Sequence, residues 1–291
     1  MLKIQNQIDQ NKRRTWLILA LFIGFIGLAV YLISGQIYPG SSYVSALLFS
    51  LVTSMFGYLW GDKLVLSLNH ARLPKDNEYP DLRVLVLRLS QRAKIPQPQI
   101  HLVDSPALNA FATGRSPKSA HICLTTGILE KLNQEELDGV LAHELSHIRN
   151  FDIRLMTLVS VLVGSLSILI NISYNRALYG GEDRDKQSNG ILGVIGFLLI
   201  ILAPIIAQLI QLAISRQREY LADTSSVDLT KNPQGLISAL KKISGQANFN
   251  AASTATASLY IANPFKNQKT LSLFFTHPPI EDRIKALEKL S

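Results

Sequence analysis

The sequence predicts a mainly helical α+β chain, in which a small β-sheet and amphipathic helices are combined with four transmembrane helices. Three observations predict it. Of the 291 residues, 47% are hydrophobic, a high share for a soluble protein. The apolar residues gather into four long runs, at 16–35, 43–60, 155–174 and 191–214. The polar blocks that follow each pair of runs, 61–154 and 215–291, show helical periodicity, with three short strand-like runs in the first block.

Residues 1–15 are polar, contain Lys12-Arg13-Arg14 and read as a cytosolic N-terminal extension. The run 16–35 has no charge and is long enough to cross a bilayer, which takes about 20 residues. It is too long for the apolar region of a signal peptide, and no small-residue cleavage site is clear. An uncharged linker, 36–42, leads to the second run, so 16–60 forms a transmembrane hairpin. Tyr31, Tyr38, Tyr43, Tyr58 and Trp60 fall near the span ends, where interfacial aromatics belong.

In the block 61–154, residues 81–93 place Leu82, Leu85, Val86 and Leu89 on one helical face. Segments 100–103, 109–113 and 120–124 read as strands, and 126–132 as a short helix. Asn133 followed by Glu136 is a capping-box signature, opening a helix with Leu137, Leu141 and Ile148 at helical spacing. A second transmembrane hairpin covers 155–214, its spans joined by the polar segment 175–190. Pro204 kinks the fourth span, which membrane helices tolerate. In the block 215–291, helices are expected from Ser215, from Asn232-Pro233 and over 279–290, with a mobile loop at 245–269.

A net charge of +8 in a soluble protein would suggest nucleic acid, but here topology explains it. Four spans put residues 1–15 and both polar blocks on one side, and nearly all the Lys and Arg lie there. Lys12, Arg13 and Arg14 against the uncharged 36–42 linker place that side in the cytosol. The lipid bilayer is therefore an expected partner, and nucleic acid is not. Cys123, the one cysteine, precludes an intrachain disulfide and sits in an apolar run as a core residue facing a reducing compartment.

The candidate site begins at residues 141–147, Leu-Ala-His-Glu-Leu-Ser-His. On a helix, His143 and His147 share one face and can grip one metal ion. Glu144 beside them is placed to take a proton from an activated water. The bland alternative is a pair of surface histidines on an amphipathic helix. A catalytic zinc takes three protein ligands, so a third is needed. Glu219 and Asp223, spaced i and i+4, are the candidates. Glutamate has the longer reach, so Glu219 is assigned as ligand and Asp223 as the hydrogen-bond acceptor that fixes a ligand histidine's tautomer. Spacing alone equally allows a solvated helix surface. Topology favours the metal site: the H-E-x-x-H helix runs into the third span, and the fourth runs into the Glu219 helix, so both helices emerge at one depth.

These motifs, with Ser215-Arg216-x-Arg218-Glu219-Tyr220-x-Ala222-Asp223, Asn109-Ala110-Phe111-Ala112-Thr113-Gly114, and His277-Pro278-Pro279 followed by Arg283, resemble the HtpX family. These are bacterial membrane zinc metalloproteases related to CAAX prenyl proteases. The resemblance runs from about residue 16 to the end, leaving 1–15 as an extension outside it. It implies a zincin-like (gluzincin) catalytic domain facing the cytosol of the cell membrane, with one Zn2+ on His143, His147 and Glu219. It implies Glu144 as general base, and roles near the transition state for His277 and Arg283. The implied activity is quality-control proteolysis of unfolded or damaged membrane proteins under stress.

The reaction needs a donor for the oxyanion, and His277 and Arg283 are the candidates. Arg283 instead pairing with Glu281 or Asp282 would be a purely structural role, and His277 could also serve as a metal ligand. Segment 109–113 reads as an exposed edge strand to which an extended substrate adds, through Asn109, Ala110, Phe111 and Ala112. His70, His101 and His121 lack ligand spacing and read as structural. An intramembrane-cleaving protease is disfavoured by Glu135, Glu136, Asp138, Arg149 and Asp152 around the motif. A CAAX-type processing protease and a catalytically silent membrane scaffold compete with the general protease as functions. Oligomeric state is not legible.

Overall fold

The computed structural model describes residues 2–37, 43–162, 216–246, 256–262 and 278–290. Most of the expected third span, the 175–190 loop, all of the fourth span and His277 lie outside the described residues. So does most of the 36–42 linker.

Helix α1 (Leu2–Ile37) is unbroken, so the polar stretch expected as an extension is the first part of the same helix as the first apolar run. Helix α2 (Tyr43–Leu68) packs along it. Among the described residues, α2 is the one helix long and apolar enough to cross a membrane, against the four spans expected. Trp16, Leu17 and Leu21 on α1, and Val44, Val52 and Phe56 on α2, stay exposed and form an outer apolar surface.

The polar block folds as its periodicity predicts. Helix α3 (Pro80–Ala93) starts with proline in its first turn and Asp81 at the positive end of the helix dipole, and it buries Leu82, Leu85, Val86 and Leu89. Strands β1 (Gln99–Val103), β2 (Ala110–Gly114) and β3 (Ala120–Thr125) form a sheet of order β1-β3-β2. β1 runs parallel to β3, with Ile100 opposite Ile122, and β2 runs antiparallel to it, with Ala112 opposite Ile122. Helix α4 (Thr126–Lys131) follows.

Helix α5 (Gln134–Arg149) is the centre of the domain. Its capping box forms as expected: the Asn133 side chain accepts from the Glu136 N–H, and Glu136 accepts from the Asn133 N–H, both at 2.9 Å. Such a cap is worth about 0.5–2 kcal/mol. Glu136 also accepts from Ser238 Oγ at 2.6 Å and Lys242 Nζ at 2.7 Å, which ties the cap to helix α8 (Pro233–Gln246). Gly139 allows the two helices to touch, since a Cβ there would stand 2.6 Å from the Leu236 backbone nitrogen. Around α5 lies a core that includes Leu89, Ile122, Leu141, Leu145, Leu236 and Leu240. Cutting one of these leucines to alanine costs about 2–5 kcal/mol.

After α5 the chain turns at Phe151, whose φ is +59°, and resumes as α6 (152–162). α2 meets α6 where Gly61 faces Val161. Helix α7 (Arg216–Thr230) lies along α5, and α9 (Ile280–Glu288) closes against α7 and α8. Within the stretch expected as a mobile loop, residues 256–262 are instead buried. Asn69 accepts from Thr256 and from the Tyr260 hydroxyl, both at 2.9 Å, and the Ile261 N–H donates to Ala110 O at 2.9 Å. The Ala- and Ser-rich composition of that segment gives no sign of Tyr260 and Ile261 as anchors.

Candidate metal centre

Helical spacing on α5 brings the Nε2 atoms of His143 and His147 to 3.1 Å from one another. α7 supplies Glu219, whose Oε2 lies 3.6 Å from His143 Nε2 and whose Oε1 lies 3.6 Å from His147 Nε2. The three ligand atoms fall within 4.8 Å of one another, and all three residues are buried. The sequence-predicted triad is therefore brought together, with Glu219 reaching it from about seventy positions away.

The far ring nitrogens are held by carboxylates. His143 Nδ1 lies 2.9 Å from Asp223 Oδ1, and His147 Nδ1 lies 2.9 Å from Asp152 Oδ2. A proton on each Nδ1 satisfies its carboxylate and leaves a lone pair on each Nε2. Two such lone pairs and the Glu219 carboxylate then converge as acceptors, an arrangement that a cation resolves. Charge agrees. Among the described residues, the buried acids Glu144, Asp152, Glu219 and Asp223 surround the point, with Arg218 and Arg283 as the buried bases. That leaves a formal deficit that a divalent cation fills. The donor set fits zinc, which takes imidazole and carboxylate ligands.

Glu144 is 2% exposed, and its carboxylate accepts from the Ala112 N–H of β2. Burial pushes its pKa up to about 7, with Glu219 adding to the rise. A carboxylate poised there can both take and release a proton. Burial pushes the pKa of His143 down to about 4. Burial also opposes the charged form of His147, but Glu219, Asp152 and Glu144 outweigh it and favour positive charge at its ring, the same pull that favours a cation on Nε2.

Arg283 is fully buried beside the triad, its Nη1 3.7 Å from Glu219 Oε2 and its Nη2 3.4 Å from His143 Nε2. It forms a two-pronged pair with Asp223, Nε to Oδ2 at 3.0 Å and Nη2 to Oδ1 at 2.7 Å, rather than pairing with Glu281 or Asp282. Its Nη1 donates to Ile261 O at 3.3 Å. A guanidinium so engaged orients Asp223, and through it His143, next to the cation ligands.

The β2 segment is an edge strand by topology, yet it is buried rather than exposed. Asn109 Nδ2 donates to Ala262 O at 2.9 Å, so the side chain expected to touch substrate holds the 256–262 segment. The Ala110 carbonyl accepts from Ile261, and Phe111 packs edge-on against Tyr260 with centroids 4.9 Å apart. Ala112, whose N–H donates to Glu144, ties the strand to the proton-accepting group.

Sequence reasoning missed Asp152. It follows His147 by five residues, outside the helix, and only the left-handed turn at Phe151 swings it back onto the ring. The signal available was an acid immediately beyond a two-histidine motif.

Convergent cation ligands beside a proton-accepting glutamate and a sheet edge are what a metallopeptidase requires. Comparison with known proteins agrees: the chain belongs to peptidase family M48, whose profile matches residues 76–291. It is 43% identical to a protein named "Protease HtpX homolog" from Ligilactobacillus salivarius, over 99% of this chain and 100% of that one. A protein of the same name from Levilactobacillus brevis is 45% identical, over 99% and 100% of the two chains. These alignments take in nearly all of residues 1–15, so that stretch is not an extension outside the match. Among solved structures, S. mikatae Ste24p shares the fold with a TM-score of 0.53 and 22% identity, over 96% of this chain and 66% of that one.

Proposed function

We propose that the chain is a membrane-bound, zinc-dependent endopeptidase that cuts unfolded or damaged membrane proteins on the cytosolic side of the bacterial cell membrane. Quality control under stress is the setting this activity suits. The observation that carries the reading is the convergence of His143, His147 and Glu219 with Glu144 beside them. The apolar outer faces of α1 and α2 support a membrane hairpin there, and the four apolar runs with the placement of basic residues support four spans with both polar blocks in the cytosol.

Zinc on the three ligands supplies the Lewis acidity that activates water and polarises the scissile carbonyl. Glu144 accepts the proton of the attacking water and delivers it to the leaving amine. Asp152 and Asp223 hold the two imidazoles in one tautomer, and Arg283 holds Asp223. His277 and Arg283 are the candidates for an oxyanion donor.

The test uses the purified full-length protein in detergent. One metal per chain is expected, with casein cleavage lost on chelation and restored by zinc. Glu144→Gln should keep the metal and lower cleavage by about 10²–10⁴-fold. Cleavage that survives complete metal removal would end the reading.

A further inference from the structure

The polar start of α1 reaches the metal centre. Asn11 is 1% exposed, and its Nδ2 donates to Asp152 Oδ1 at 2.6 Å and to Asn150 O at 3.1 Å. The other oxygen of the same carboxylate, Oδ2, faces His147 Nδ1. One side chain on α1 therefore holds both the carboxylate behind a ligand histidine and the backbone of the turn that presents it. The grip has further points. Lys12 Nζ sits 5.0 Å from the centroid of the Phe151 ring, and Thr15 Oγ1 donates to Asn11 O at 2.8 Å, fixing the helix there. Asp152 is fully buried, so removing the Asn11 donor takes a hydrogen bond from one of its oxygens where water cannot replace it.

We propose that Asn11 is a positioning residue of the active site, setting Asp152 and through it the ligand face of His147, so that the amino-terminal helix is part of the catalytic machinery. This rests on the metal-site reading above. A buried asparagine satisfied only to pack a helix has no need of a metal ligand's own partner. The bond also spans 141 positions, joining α1 to the first residue of α6.

The experiment uses full-length protein carrying Asn11→Leu, Asn11→Asp or Asn11→Gln, loaded with cobalt(II) and separately with zinc. Asn11→Leu should weaken zinc about tenfold in competition with a chelator, the low end of the range for residues that orient metal ligands. It should also shift the visible cobalt bands and lower kcat several-fold with KM unchanged, because Asn11 touches no substrate. Asn11→Asp, an isostere that sets an acceptor against Asp152, should weaken zinc more. Asn11→Gln, which keeps the amide, should recover part of the loss. If Asn11→Leu fails to fold by circular dichroism, Asn11→Asp decides the matter. Folded variants with wild-type zinc affinity and cobalt spectrum overturn the inference alone. A wild-type chain that takes up no metal overturns it together with the proposed function.

Discussion

Among the described residues, two histidine pairs have a carboxylate nearby, and they are built for different ends. On α5, His143 and His147 turn their Nδ1 atoms to Asp223 and Asp152 and their Nε2 atoms to a shared point facing Glu219. On the sheet, His101 and His121 lie on adjacent strands, and His101 Nε2 meets His121 Nδ1 at 3.2 Å. His121 Nε2 then stands 3.6 Å from Asp62 on α2. That second set is a chain, each group spending its lone pair or proton on the next. The first is a convergence, in which outer carboxylates occupy the far nitrogens and leave the near ones open to a cation. Proximity of histidines to acids is common to both. The direction of the lone pairs separates them.

The comparison can be broken most sharply at Glu219. Glu219→Ala removes one of three convergent ligands and should abolish stoichiometric metal binding, measured on the purified chain, along with cleavage. A mutant that still holds one zinc at wild-type affinity would show that the point of convergence lies elsewhere.

A smaller effect is expected at Asp223, which shapes the site without entering it. Asp223→Ala should weaken zinc about 10–100-fold, read by chelator competition. It also strands the buried Arg283 charge, so the melting temperature should fall as well.

The smallest effect sharpens the contrast from the other side. Burial pushes the pKa of His101 from the usual 6.5 down to about 4, with His121 adding to the fall. The unfolded chain then takes up a proton below about pH 6.5 that the folded chain refuses until about pH 4. Stability is full above that window and is lost as pH drops through it. His101→Gln should flatten this part of the stability profile in thermal melts at stepped pH and leave metal content unchanged. A change in metal content would join the two histidine sets after all.

Local pattern makes much of this legible. The capping box, the i, i+4 spacing of His143 with His147 and of Glu219 with Asp223, and the period-2 runs depend only on neighbours along the chain. Each forms within a residue or two of its expected bounds. Arg283 does lie beside the triad, but with a partner that its sequence surroundings do not offer. Glu281 and Asp282 are its neighbours in sequence, whereas Asp223 is its neighbour in space, sixty positions away. The 245–269 composition suggests mobility, yet residues 256–262 pack on Asn69, Asn109 and Ala110.

The sequence by itself determined the chemistry: which side chains suit a cation, which one suits a proton, and which share a helix face, because helical and strand periods fix those relations within a few residues. Asp223 behind a ligand histidine was legible in the i, i+4 spacing, but tertiary structure alone decided the other supports. Asp152 behind His147, Asn11 behind Asp152 and Arg283 behind Asp223 are buried polar contacts between distant segments or across a turn. Such groups must find a partner inside the fold because water cannot reach them, and no local period says which partner that will be.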